Sequence, residues 1–269
     1  ALTLDISSFT CSEVGANTVY LIATDVNGNV DSTSAVVTVV DTVRPNVVSQ
    51  NITIQLDASG NASIITGDID NGTTDACNVV SLSLSKTSFT CSDVGANTVQ
   101  LIATDVNGNV DSAAATVTVI DTIKPSVVTQ NIDAYLDATG NATITTADID
   151  NGTTDACGAP ALSLDISSFT CSEVGANTVY LIATDVNGNV DSASAVVTVV
   201  DTVRPNVLTQ AITIYLDASG AASITTADVD NGSSDACGTP TLSLSKSAFV
   251  CADAGANTIQ LIATDVNGN

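Results

Sequence analysis

The sequence predicts an all-β protein, a tandem array of antiparallel β-sandwiches repeating every 80 residues. Three observations carry that prediction. The nonapeptide Leu-Ile-Ala-Thr-Asp-Val-Asn-Gly-Asn stands unchanged at 21–29, 101–109, 181–189 and 261–269, and self-similarity at a fixed period marks a repeat architecture. Apolar and polar residues alternate in short runs between clusters of Asn, Asp, Gly and Pro, the pattern of half-buried strands and their turns. No stretch carries a helical period. The 269 residues divide into the C-terminal half of a repeat (1–40), two whole repeats (41–120 and 121–200) and a repeat lacking its last strand (201–269). The chain opens and closes inside a repeat and has no methionine, so it is expected to be a piece of a longer protein.

Within 41–120, Asp41-Thr-Val-Arg-Pro45 is a linker, because proline restricts both itself and the residue before it. Ile52, Ile54 and Leu56 alternate with Thr53 and Gln55, which gives a first strand with one buried face. In other copies Thr53 becomes Asp133 and Gln55 becomes Tyr135 or Tyr215, changes that an outer face accepts. Asp57-Ala-Ser-Gly60 has the composition of a turn. Ala62, Ile64 and Thr66 start a second strand, followed by an acidic loop that runs to Cys77. Leu82 and Leu84 mark a third strand, and Phe89 leads into Cys91. Val99, Leu101 and Ala103 form the inner face of the next strand, which ends at the hairpin signal Asn107-Gly108. The last strand turns Ala115, Val117 and Val119 inward and Ser112, Thr116 and Thr118 outward. Six or seven short strands per repeat imply a two-sheet sandwich of immunoglobulin-like type. With four phenylalanines in the chain and no tryptophan, the core is thin, and apolar burial alone supports so small a domain only marginally.

There are 29 acidic residues, 5 basic residues and no histidine, for a formal net charge of −24. Such a surface repels nucleic acid and anionic membranes and attracts cations. The apolar runs are too short and interrupted for membrane insertion. Carboxylates placed in turns, with no histidine and no activated nucleophile, do not form a catalytic constellation, so the array reads as non-enzymatic. Of the seven cysteines, Cys77 and Cys91, Cys157 and Cys171, and Cys237 and Cys251 repeat one separation of 14 residues. They read as one disulfide within each repeat, with the partner of Cys11 lying before residue 1, and hence as a mark of an oxidising compartment. Buried free thiols are the alternative. A zinc site would find only two sulfurs per repeat and no histidine.

In a sandwich of this type, the loop after the second strand and the last hairpin lie at the pole where the chain comes in. Three acidic elements then meet in 41–120: Asp41 of the linker; Asp68, Asp70, Asn71 and Asp75 of the loop; and Asp105, Asn107 and Asn109 of the hairpin. The next copy supplies Asp121, Asp148, Asp150, Asn151, Asp155, Asp185, Asn187 and Asn189. The last supplies Asp201, Asp228, Asp230, Asn231, Asp235, Asp265 and Asn267. Hard oxygen ligands without histidine suit calcium, which would stiffen the junction between repeats. Solvated acidic turns are the competing reading, since Asp, Asn and Gly build tight turns without any ion.

The order Asp-Thr-x-x-Pro, strand, Asp-x-Cys, Phe, Val-Gly, strand, Thr-Asp-x-x-Gly-Asn, strand, Val-Thr-Val resembles the hyalin-repeat (HYR-like) family, with Asp-Ala-Cys in place of that family's usual Asp-Asn-Cys. The resemblance extends over every repeat, and the uniformity of the copies is similar to that of giant cell-surface adhesins of Bacteroidota, the gliding-motility type included. It implies an extracellular, cell-surface stalk or filament that acts as a spacer in cell adhesion or gliding. Its partners would be neighbouring repeats and, through further domains, surface polysaccharide or other cells. A structural fibre or surface-layer polymer with no ligand of its own is the alternative. The O-glycosylation signal of the resembled group matches at Ser32, Ser112 and Ser192 and at Thr42, Thr122 and Thr202. The same residues also read as plain outward-facing strand and linker positions.

Overall fold

The computed structural model describes residues 1–269, the side chain of Val80 excepted. It comprises two compact units, Ala1–Ile123 and Lys124–Asn269. The first begins with β1 (Leu2–Leu4), β2 (Gly15–Thr24) and β3 (Val30–Val39), a three-stranded antiparallel sheet. There follow β4 (Ile52–Gln55), β5 (Asn61–Ser63), helix α1 (Thr66–Ile69), β6 (Val79–Leu84), β7 (Ser88–Thr90), β8 (Gly95–Asp105) and β9 (Val110–Ile120). Their main sheet has the order β4-β9-β8-β6, and β5 pairs with β7 in a small second sheet.

The second unit repeats this plan with β10 (Ile132–Tyr135), β11 (Asn141–Thr143), α2 (Thr146–Ile149), β12 (Ala161–Leu164), β13 (Ser168–Thr170), β14 (Gly175–Thr184) and β15 (Val190–Val200). It continues through β16 (Ala221–Ser223), α3 (Thr226–Val229), β17 (Thr241–Leu244), β18 (Ala248–Val250) and β19 (Leu261–Thr264). The result is an all-β chain tiled by immunoglobulin-like sandwiches.

The alternation read from the sequence sets the core. Val99, Leu101 and Ala103 of β8 and Ala115, Val117 and Val119 of β9 are buried, and they share the interior with Leu56, Ile64, Ile69 and Phe89. β-branched residues fit such a half-buried pleated surface. Identical residues show that the core needs both sheets. Leu101 and Leu181 are fully buried, whereas Leu21, whose three-stranded sheet has no facing layer among the described residues, is 41% exposed. Likewise Leu56 is 3% exposed and its counterpart Leu216 is 36% exposed, because among the described residues no strand equivalent to β9 stands beside residues 211–216.

Two elements differ from expectation. β4 pairs with β9 in parallel, from Ile52 opposite Val117 to Gln55 opposite Ile120. The chain comes in at one pole and leaves at the other, so its first and last strands run the same way and can pair only in parallel. The second strand stops at Ser63, and Thr66–Ile69 of the acidic loop forms a helical turn, too short to leave a periodic trace in the sequence.

The two poles also decide the disulfides, and here the sequence reading is corrected. The bonds are Cys11–Cys77 and Cys171–Cys237, each with a sequence separation of 66, not bonds within a repeat. Cys91 and Cys157 are likewise disulfide-bonded, and Cys251 is free and exposed. So the pairs Cys77–Cys91, Cys157–Cys171 and Cys237–Cys251 do not form. Cys77 lies just before β6, whose first residue Val79 stands opposite Asp105 at the end of β8. Cys91 opens a 3-10 turn before the start of β8, and its Sγ approaches the Gly60 carbonyl in the turn after β4. The length of β8, about 34 Å for ten steps of an extended strand, separates the two ends, whereas bonded cysteines need Cα atoms within about 7 Å.

Candidate metal site at the upstream pole

The pole where the chain comes in is built around Asp105. Its Oδ1 accepts hydrogen bonds from the backbone N–H groups of Asn107 and Asn109, both at 2.8 Å, and its Oδ2 accepts one from Asn109 Nδ2 at 2.7 Å. Gly108, at φ +91°, supplies the positive φ that the tight hairpin turn requires. Asp105 is 2% exposed. Burial works against its charge, but the hydrogen bonds from the Asn109 side chain and from the backbone of Asn109, Asn107 and Gly108 outweigh it and hold the carboxyl below the ordinary aspartate range. Asp185 and Asp265 are held the same way in their own hairpins. Asn109 Nδ2 also reaches the Asp41 carbonyl at 3.3 Å, so the hairpin closes onto the linker.

Asp41 and Asp75 complete the arrangement. Asp41 Oδ1 accepts from Val43 N–H at 2.9 Å, and Asp75 Oδ2 from Cys77 N–H at 2.6 Å. Their other oxygens, Asp41 Oδ2 and Asp75 Oδ1, are buried with no hydrogen-bond partner among the described residues. One carboxylate oxygen from each of Asp41, Asp75 and Asp105 lies within 4.8 Å of the others. Two unit charges about 4 Å apart repel by about 4 kcal/mol at an effective dielectric of about 20, so such a cluster calls for a compensating cation.

The second unit brings Asp201 and Asp235 together in a similar way, beside Cys237. Asp201 Oδ1 accepts from Val203 N–H and Asp235 Oδ2 from Cys237 N–H, leaving Asp201 Oδ2 and Asp235 Oδ1 buried and unpartnered. Asp201 is 7% exposed, and Asn269 Nδ2 donates to its carbonyl at 3.1 Å. The Cys237 sulfur lies beside these carboxylates, but it is tied up in its disulfide and offers no thiolate. Asp155 Oδ2 accepts from Cys157 N–H, Asp121 Oδ1 from Ile123 N–H, and Asp185 Oδ1 from the N–H groups of Asn187 and Asn189.

The remaining acidic positions are engaged in local structure. Asp68, Asp148 and Asp228 cap the short helices by accepting from the N–H of Ile65, Thr145 and Thr225. Asp70, Asp150 and Asp230 accept from the N–H of Thr73, Thr153 and Ser233. Asn71, Asn151 and Asn231 donate backbone N–H to Val48, Val128 and Leu208, and Asn267 donates its own to Asp265. The convergent oxygens therefore come from Asp41, Asp75 and Asp105 in the first unit and from Asp201 and Asp235 in the second, a narrower set than the sequence offers. Ser32, Ser112, Ser192, Thr42, Thr122 and Thr202 are all exposed.

No protein-family profile matches the chain, and no curated protein matches it. Among solved structures, protocadherin gamma B7 extracellular cadherin domains 1–4 align over 96% of this chain and 76% of their own, at 13% identity and a TM-score of 0.35. Sidekick-1 immunoglobulin domains 1–4 align over 71% of this chain and 60% of their own, at 12% identity and a TM-score of 0.33. An endo-fucoidan hydrolase of glycoside hydrolase family 107 aligns over 75% of this chain and 37% of its own, at 16% identity and a TM-score of 0.25. Likenesses this low carry no argument about function, which rests on the chain's own residues.

Proposed function

We propose that this chain is an extracellular spacer: the stalk or filament region of a cell-surface adhesin built from HYR-like repeats, stiffened at its upstream poles by disulfides and calcium. The observation that carries the reading is the coincidence of a crosslink and a carboxylate pocket at one pole. Cys77 bonds back to Cys11, and the same residue's N–H orients Asp75 into the cluster with Asp41 and Asp105. Disulfides form and persist in oxidising, mostly extracellular compartments, and a net charge of −24 suits a soluble surface polymer in ion-rich surroundings. Calcium fits the pocket because the donors are hard oxygens, two of them buried without partners. It would offset the carboxylate repulsion and tie linker, loop and hairpin together. Glycans at Ser32, Ser112, Ser192, Thr42, Thr122 and Thr202 belong to the same proposal.

The test is calorimetry of the 269-residue chain in calcium and in chelator. Calcium at about 100 times its dissociation constant adds about 2.7 kcal/mol for each site that binds only the folded state, so Tm is expected to rise by several degrees. The double variant Asp75→Asn, Asp235→Asn should lose most of that rise. Asp68→Ala, which removes a helix cap worth about 1 kcal/mol, should lower Tm equally in calcium and chelator. A Tm indifferent to calcium would overturn the metal reading.

A further inference from the structure

The disulfides join residues far apart in sequence, and that fixes which parts of the chain can feel tension. In the first unit, a pull between Ala1 and Ile123 runs along residues 1–11, crosses the Cys11–Cys77 bond and continues from residue 77. Residues 12–76 are bridged. They contain the hairpin of β2 and β3, the linker Asp41–Pro45, β4, β5 and α1. In the second unit the Cys171–Cys237 bond bridges residues 172–236, which include β14, β15 and the linker Asp201–Pro205. In both, the proline-containing linker, the part of the pattern with the least secondary structure, lies inside the bridged stretch.

We infer that these disulfides form a covalent tension path that bypasses the linkers Asp41–Pro45 and Asp201–Pro205, so the bridged stretches 12–76 and 172–236 do not lengthen even where their strands unfold. A covalent S–S bond outlasts hydrogen-bonded strands under any load that separates them, so unfolding of β2, β3 or β4 returns none of the 65 residues between Cys11 and Cys77. Asp41 and Asp75 sit inside the bridged stretch and Asp105 outside it, so the carboxylate pocket orients the linker without carrying the pull. The inference goes beyond the spacer reading in naming the path of force, and it holds with or without calcium.

Single-molecule stretching of the full chain from its two ends, oxidised and then reduced, tests it. A chain extends at most about 3.3–3.6 Å per residue, so opening a bond of separation 66 returns about 230 Å of contour. The reduced chain is expected to extend further than the oxidised chain by at least two such increments, and Cys77→Ala should remove one of them. Increments of about 50 Å, as a 14-residue loop would return, or no gain on reduction, would overturn the inference. Chelator should change the force at which units open but not the length returned. A failure of the calcium reading therefore leaves this result untouched, and the converse also holds.

Discussion

At Gly140 the backbone takes φ +76°, and a Cβ there would stand 2.6 Å from Cys171 Sγ and 3.5 Å from Ala236 Cβ. Gly152, at φ +99°, has nothing within 4 Å. An alanine at either position carries the left-handed backbone strain, about 1 to 2 kcal/mol; only Gly140→Ala adds a collision with a disulfide sulfur. Urea denaturation of the two variants should therefore show a larger loss for Gly140→Ala than for Gly152→Ala. Equal losses would mean that the sulfur yields freely. The sequence shows such a glycine as turn composition and nothing more, because the demand comes from a cysteine 31 residues away. The inner-face residues Val99, Leu101 and Ala103 were legible for the opposite reason: a strand's period of two is a local property, and the swap of Gln100 for Tyr180 marks the outer face.

The hairpin Asp105–Asn109 is the element on which the pole depends, and its acid response has a definite sign. Burial opposes the charge of Asp105, but the hydrogen bonds from Asn109, Asn107 and Gly108 prevail, so its folded pKa lies below the ordinary value of 3.8. A carboxyl depressed in the folded state contributes stability that is fully present above the unfolded value and is lost as pH falls through the folded one. In chelator, the melting temperature should hold level down to about pH 5 and drop below about pH 4. Asn109→Ala removes the side-chain donor and should make that drop shallower. A drop of unchanged steepness would place the acid sensitivity elsewhere. The hairpin itself was readable in Asn107-Gly108, and its approach to Asp41 followed from the place of the last hairpin at the pole where the chain of an immunoglobulin-type sandwich comes in. Which acidic loop positions join it was not readable. Asp68 and Asp75 are alike as letters, yet one caps a four-residue helix and the other faces the pocket.

Across the whole chain, the period that made the architecture legible also hid its crosslinks. Cysteines at 11, 77, 91, 157, 171, 237 and 251 alternate separations of 14 and 66, and every copy repeats both equally. Nearness in sequence favours 14. Nearness in space favours 66, because one cysteine of each repeat lies at the upstream pole and the other at the downstream pole. In the chain-entropy account a loop of 66 residues stabilises by about 4 kcal/mol against about 3 for a loop of 15, so the long pairing costs nothing in stability. The two pairings leave different thiols over. Bonds of separation 14 would leave Cys11 free, whereas the bonds Cys11–Cys77 and Cys171–Cys237 leave Cys251 free and exposed. Maleimide labelling of the folded, unreduced chain followed by peptide mapping should thus find the label on Cys251 and find Cys11 linked to Cys77. A label on Cys11 would return the bonds to single repeats, and with them the linkers to the path of tension.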